Sequence, residues 1–111
     1  MNVLLVDNNV RRLEACAGAV AQLQHDVVKA TSAEEARSLL CQRPFDVVVT
    51  EYKLGGVHGS TLLAVVAMLF PETRRMLFSG GALPPAVHAH VVIERMSGVD
   101  EFIRAISPLL S

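Results

Sequence analysis

No tryptophan, a single tyrosine and only two cysteines occur in the sequence, and neither sign of charge dominates, with ten Lys and Arg against eleven Asp and Glu. A chain so evenly charged has no field for nucleic acid, so that class of partner is excluded. Cys16 and Cys41 sit among apolar neighbours in helical patterns, which predicts two small buried hydrophobes rather than a disulfide. Long apolar runs are missing too. The longest, Leu62 to Phe70, is roughly half of what a membrane span requires, and the first residues lack the basic region of a signal peptide, so a cytoplasmic protein without membrane contact is expected. No repeat, low-complexity stretch or linker interrupts the chain, which predicts one domain over residues 1–111. With 51% hydrophobic residues it has the means to bury a core.

What is present is an alternation of hydrophobic periods. Asn2-Val3-Leu4-Leu5-Val6 is apolar throughout and closes on Asp7-Asn8-Asn9, after which Val10, Leu13, Ala17, Val20 and Leu23 recur at helical spacing. His25 to Ala30 reads as a second strand, and Thr31-Ser32-Ala33-Glu34-Glu35 as a capping box opening a helix that Pro44 ends. Asp46 to Thr50 is the most strand-like segment, with Glu51 at its C-terminal end. A Gly-rich loop then leads to Ser60, the expected N-cap of a helix from Thr61 to Phe70. Arg75 to Ser79 and Val91 to Ile93 complete five strands, and Asp100 to Leu109 form the last helix. Apolar strands alternating with helices predict a doubly wound parallel sheet, and such sheets bind ligands beyond the carboxyl ends of their strands. Asp7 and Asn8, Glu51, Ser79, and Glu94 or Arg95 stand at those ends.

Three segments carry a family resemblance: Val3-Leu4-Leu5-Val6-Asp7-Asn8-Asn9, then Phe45 through Thr50-Glu51-Tyr52-Lys53 to Gly59, then Arg75-Met76-Leu77-Phe78-Ser79-Gly80. Together they resemble the receiver domain of bacterial two-component response regulators, in order and over nearly the whole chain. The resemblance implies a flavodoxin-like (CheY-like) α/β fold with five parallel strands in the order 2-1-3-4-5. It also implies a phosphorelay: an aspartate after the third strand takes a phosphoryl group, an acidic pair holds Mg²⁺, and a hydroxyl and a lysine assist.

Several positions depart from that pattern. Glu51 stands at the phosphoacceptor position, and its extra methylene moves the carboxylate by about 1.5 Å, where about 1 Å of misplacement costs roughly 10²-fold. The acidic pair is Asp7-Asn8, one charge short, so Mg²⁺ binding is expected to be weak or lost. Arg95 is the best match to the lysine, with a planar fork suited to gripping Glu51, and Ser79 keeps the switch hydroxyl. Val92 replaces the aromatic switch residue of the fifth strand. Gly80-Gly81-Ala82-Leu83-Pro84-Pro85 predicts a shortened or irregular fourth helix, and with it a reshaped partner and dimer surface.

These departures predict a pseudo-receiver: a phosphorylation-independent, non-enzymatic protein-interaction module with no catalytic residues, metal site or cofactor. Its partner would be a signalling protein or histidine kinase, with a homodimer as a further option. A receiver still binding a divalent ion or accepting phosphoryl through Asp7 and Glu51 is the alternative, and a small flavodoxin-like nucleotide or flavin binder a third. Bland roles compete for some residues. Asp7 and Asn8 serve equally as caps of the first helix, Asp46 as a turn acid, and His25 and His58 as turn or surface residues, while His88 and His90, two apart, have no Cys or acidic partner at the spacing a metal site needs.

Overall fold

The computed structural model describes residues 1–80, 88–94 and 98–111. Strands β1 (Asn2–Val6), β2 (Asp26–Ala30), β3 (Val47–Glu51), β4 (Arg74–Ser79) and β5 (Val91–Glu94) form one parallel sheet in the order β2-β1-β3-β4-β5. Helices α1 (Val10–Gln22), α2 (Ala33–Gln42), α3 (Gly59–Leu69) and α4 (Val99–Ile106) pack on it, and a 3₁₀ turn over Ser107–Leu110 follows α4. The parallel sheet is the one expected from the alternating pattern, and its strand order is the one the family resemblance implies.

Strand periodicity sorts the core into two halves. Leu4, Val6, Val48 and Leu77 face α2 and α3, where Ala36, Leu40, Leu62, Leu63 and Val66 meet them. Val3, Leu5, Val47, Val49, Met76 and Phe78 face α1 and α4, against Leu13, Ala17, Val20, Phe102 and Ile106. Each large side chain buried this way contributes about 1.5–3 kcal/mol. The same alternation along β3 puts Glu51 on the α1/α4 side, two residues beyond Val49. That parity decides which helix can reach its carboxylate.

Local signals explain most boundaries. Ser32 caps α2 by accepting the Glu35 amide at 3.1 Å, as the sequence predicts, and Glu35 Oε1 reaches back to the Thr31 amide at 2.7 Å, one residue before the N-cap amide that a capping box takes. Other ends differ from expectation. The N-cap of α1 is Asn9, whose Oδ1 accepts the Arg12 amide at 3.0 Å, so neither Asp7 nor Asn8 caps it. His58, not Ser60, precedes α3, because Gly59 is already helical, and its ring stacks on Tyr52 with centroids 4.6 Å apart. Cys16 is half-buried and Cys41 exposed, since Cys41 falls on the outer face of α2; neither is in a disulfide. The expected shortened helix between β4 and β5 falls on residues 81–87, outside the described residues.

Gly59 joins α3 to the end of β3. A Cβ there would run into the Glu51 carbonyl oxygen and stand 3.0 Å from Thr50 Cγ2, while the Gly59 amide donates to Tyr52 O at 2.6 Å. The first turn of α3 therefore lies directly against the backbone that presents Glu51.

Candidate functional site

The carboxyl ends of β1, β3 and β4 bring Asp7, Glu51 and Ser79 to one edge of the sheet, with exposures of only 2%, 4% and 2%. Three residues expected at the site are thus placed together. Asn8 is not: it is exposed, in the turn between β1 and α1. Val92 lies half-buried on β5 opposite Leu77 and packs against the α2/α3 half of the core. Arg95 lies outside the described residues.

The organising side chain is one that sequence reasoning missed. Arg12 Nε donates to Asp7 Oδ2 at 2.6 Å and its NH2 donates to Asp7 Oδ1 at 2.7 Å, a two-pronged pair. The same NH2 faces Glu51 Oε2 at 3.5 Å, a looser contact. Asp7 Oδ1 also accepts the Asn9 amide at 2.9 Å, which ties the carboxylate to the start of α1.

Local geometry explains why Arg12 arrives here. It is the third residue of α1, and helical side chains lean back toward the N-terminus, which directs this one over the end of β1. A cation in a first turn opposes the helix dipole, and α1 carries no acidic residue in that turn to offset it. Asp7 and Glu51 supply the compensation from the sheet. Burial works against the guanidinium charge, yet the hydrogen bond to Asp7 and the charges of Asp7 and Glu51 outweigh it and hold the Arg12 pKa above its ordinary value. The group is a fixed positive charge. The sequence did hold a signal for it: a basic residue where first turns favour acids, five positions after a conspicuous Asp.

Behind Arg12, a cavity of about 230 Å³ opens between α1, β4, β5 and α4, walled mainly by Cys16, Phe78, Ile93, Val99 and Phe102. Phe78 and Phe102 meet edge to face with centroids 6.3 Å apart. Arg12 therefore borders a polar cluster at its head and apolar space along its stem.

The oxygen donors a hard cation would use here are those of Asp7 and Glu51. Both Asp7 oxygens already accept hydrogen bonds from Arg12, so the set as arranged does not fit an octahedral ion. Among the described residues no group of three His, Cys, Asp or Glu gathers as a metal site. His90 Nδ1 instead accepts the Arg75 amide at 3.0 Å, and His88 O accepts from Arg75 Nε at 2.7 Å. Asp46 Oδ2 accepts the Asn2 amide at 2.7 Å, at the opposite edge of the sheet from Glu51. No described helix is long and apolar enough to cross a membrane.

Comparison with known proteins agrees with this architecture. The hydrogenase transcriptional regulatory protein HoxA of Cupriavidus necator is 32% identical over 78 residues, 70% of this chain but 16% of the relative, so the chain spans about a sixth of that protein's length. A CheY-like receiver domain protein from Methanospirillum hungatei superposes with a TM-score of 0.89 at 19% identity, over 98% of this chain and 92% of that one. A Burkholderia pseudomallei response regulator bearing a phosphorylated aspartic acid and a calcium ion superposes at 0.83 with 22% identity, over 94% and 65% of the two chains. The family model for the response regulator receiver domain matches residues 3–103, and the chain therefore belongs to that family.

Proposed function

We propose that this receiver domain of the two-component response regulators acts without phosphorylation, as a cytoplasmic protein-interaction module. In this reading Glu51 occupies the phosphoacceptor position, Asp7 and Asn8 the acidic pair, Ser79 the switch hydroxyl, Arg95 the lysine position and Val92 the aromatic switch position, within a unit spanning residues 1–111. The partner is another signalling protein or a histidine kinase, with self-association as one option.

One observation carries the proposal: the residue at the end of β3 is a glutamate, 4% exposed, whose carboxylate faces the fixed charge of Arg12. In-line attack on a phosphoryl donor needs an oxygen that is accessible and correctly placed. The longer, buried carboxylate is neither. Asn8 lends the same support, since its neutral side chain replaces an anionic oxygen and is exposed. Val92 adds to it, because a valine has no ring to rotate inward when a hydroxyl shifts. Mg²⁺ binding that is weak or lost follows from the same donor set.

The test is an amide-resolved NMR comparison of the wild type with and without acetyl phosphate and Mg²⁺, beside Glu51→Asp combined with Asn8→Asp. An unchanged wild-type spectrum is expected. Shifts spreading from Glu51 through Ser79 that appear in the wild type with acetyl phosphate and Mg²⁺ but not with Mg²⁺ alone would overturn the proposal.

A further inference from the structure

Asp7 is 2% exposed and Glu51 4%, and buried carboxylates require a counter-charge at hand. In a metal-binding pocket a free ion supplies it. Here a covalently attached cation does so. Arg12 takes both Asp7 oxygens at 2.6 and 2.7 Å and reaches across to Glu51 at 3.5 Å, so one positive group bridges the ends of β1 and β3. We propose that Arg12 is the resident cation of this pocket, standing in for a free divalent ion and excluding it, so that the closed arrangement does not depend on metal supply.

Three features of this chain support the assignment. The guanidinium is planar and matches the carboxylate prong for prong, which leaves neither Asp7 oxygen free for an inner-sphere metal bond; an ammonium would leave one. Arg12 sits in the first turn of α1, where a cation is favourable only with acids in front of it, so its position makes sense as part of this cluster. A divalent ion entering between Asp7 and Glu51 would also meet the like charge of the guanidinium, which lies 2.6 Å from one carboxylate and 3.5 Å from the other. Asn8, exposed and uncharged, brings no anionic oxygen to offset that repulsion. The inference builds on the phosphorylation-independent reading but has its own outcome. A wild type that bound Mg²⁺ without being phosphorylated would sink this inference alone, and a phosphorylated wild type would sink that reading.

The test uses the metal alone, without phosphodonor, on the wild type, Arg12→Met, Arg12→Ala and Arg12→Lys. Mn²⁺ broadening of amide signals near Asp7, Glu51 and Ser79 reports binding at the site, and the unfolding midpoint with and without Mg²⁺ reports linkage. The wild type should be unresponsive, and Arg12→Lys, which keeps the charge but frees one Asp7 oxygen, should respond more weakly than the neutral variants. The two neutral variants should show broadening at those residues and a midpoint raised by roughly 5–10 °C at an Mg²⁺ concentration about ten times the dissociation constant. A neutral variant unfolded without metal should fold when Mg²⁺ is added. The assignment is overturned if the wild type responds as strongly as the neutral variants, if folded neutral variants stay unresponsive, or if unfolded ones are not rescued.

Discussion

Strand β3 lies between two carboxylates, and its two ends put them to different uses. Asp46, just before the strand, is exposed and accepts the Asn2 amide at 2.7 Å, while its own backbone amide and carbonyl bond Asn2 and Arg74. It clasps the amino edges of three neighbouring strands. Glu51, at the other end, is 4% exposed, faces a guanidinium from α1, and lies directly against the first turn of α3. An exposed acid bonded to backbone is accounted for by the fold alone. A buried acid set beside another buried acid and a cation is not, because apolar residues of similar size would fill the space without the desolvation cost.

The comparison can be broken with substitutions whose effects should fall in a definite order. Gly59→Val has the largest, about 3 kcal/mol, because the new side chain would collide with the Glu51 carbonyl and push α3 off the strand; chemical denaturation measures it. Arg12→Ala should cost about 2 kcal/mol in the same assay without added metal, less than the 3–5 kcal/mol of a fully buried pair because the Arg12 side chain is 24% exposed. Asp46→Ala, at the clasp end, should cost only about 0.5–1 kcal/mol. An Asp46→Ala loss equal to that of Arg12→Ala would remove the contrast between the two ends.

The smallest effect concerns pH and belongs to the amino edge. Burial, then the charges of Arg75 and Arg74, push the His90 pKa below its ordinary 6.5. The unfolded chain therefore takes up the proton more readily, and stability should decline slightly as pH falls through and below that value. The direction suits the geometry, since His90 Nδ1 accepts the Arg75 amide and protonation would end that bond. His90→Gln should flatten the dependence in melts between acid and neutral pH.

Much of this was legible in the sequence because it rests on local period and spacing. Five apolar runs alternating with helical patterns sufficed for the parallel sheet, its strand order came with the family resemblance, and the Ser32–Glu35 pair lay in plain view. Glu51, Asp7 and Ser79 were found because strand ends in such sheets converge on one edge. Arg12 was not found, because its role depends on side-chain direction and on the parity that puts Glu51 on the α1 side, neither of which is visible in one dimension. Gly59 was read as loop, since only the approach of α3 to Glu51 shows why a side chain is forbidden there. The caps differed by one or two residues for a related reason: Asp7, Asn8 and Asn9 are chemically similar, and tertiary pairing of Asp7 with Arg12 left the capping to Asn9. The helix predicted over Asp100 to Leu109 instead tightens into a 3₁₀ turn after Ile106, where Pro108 removes an amide donor.

The most direct measurement is the intact mass of the wild-type protein after incubation with acetyl phosphate and Mg²⁺. A pocket closed by Glu51 and Arg12 predicts an unchanged mass, whereas a gain of one phosphoryl group lost on Glu51→Gln would contradict the account.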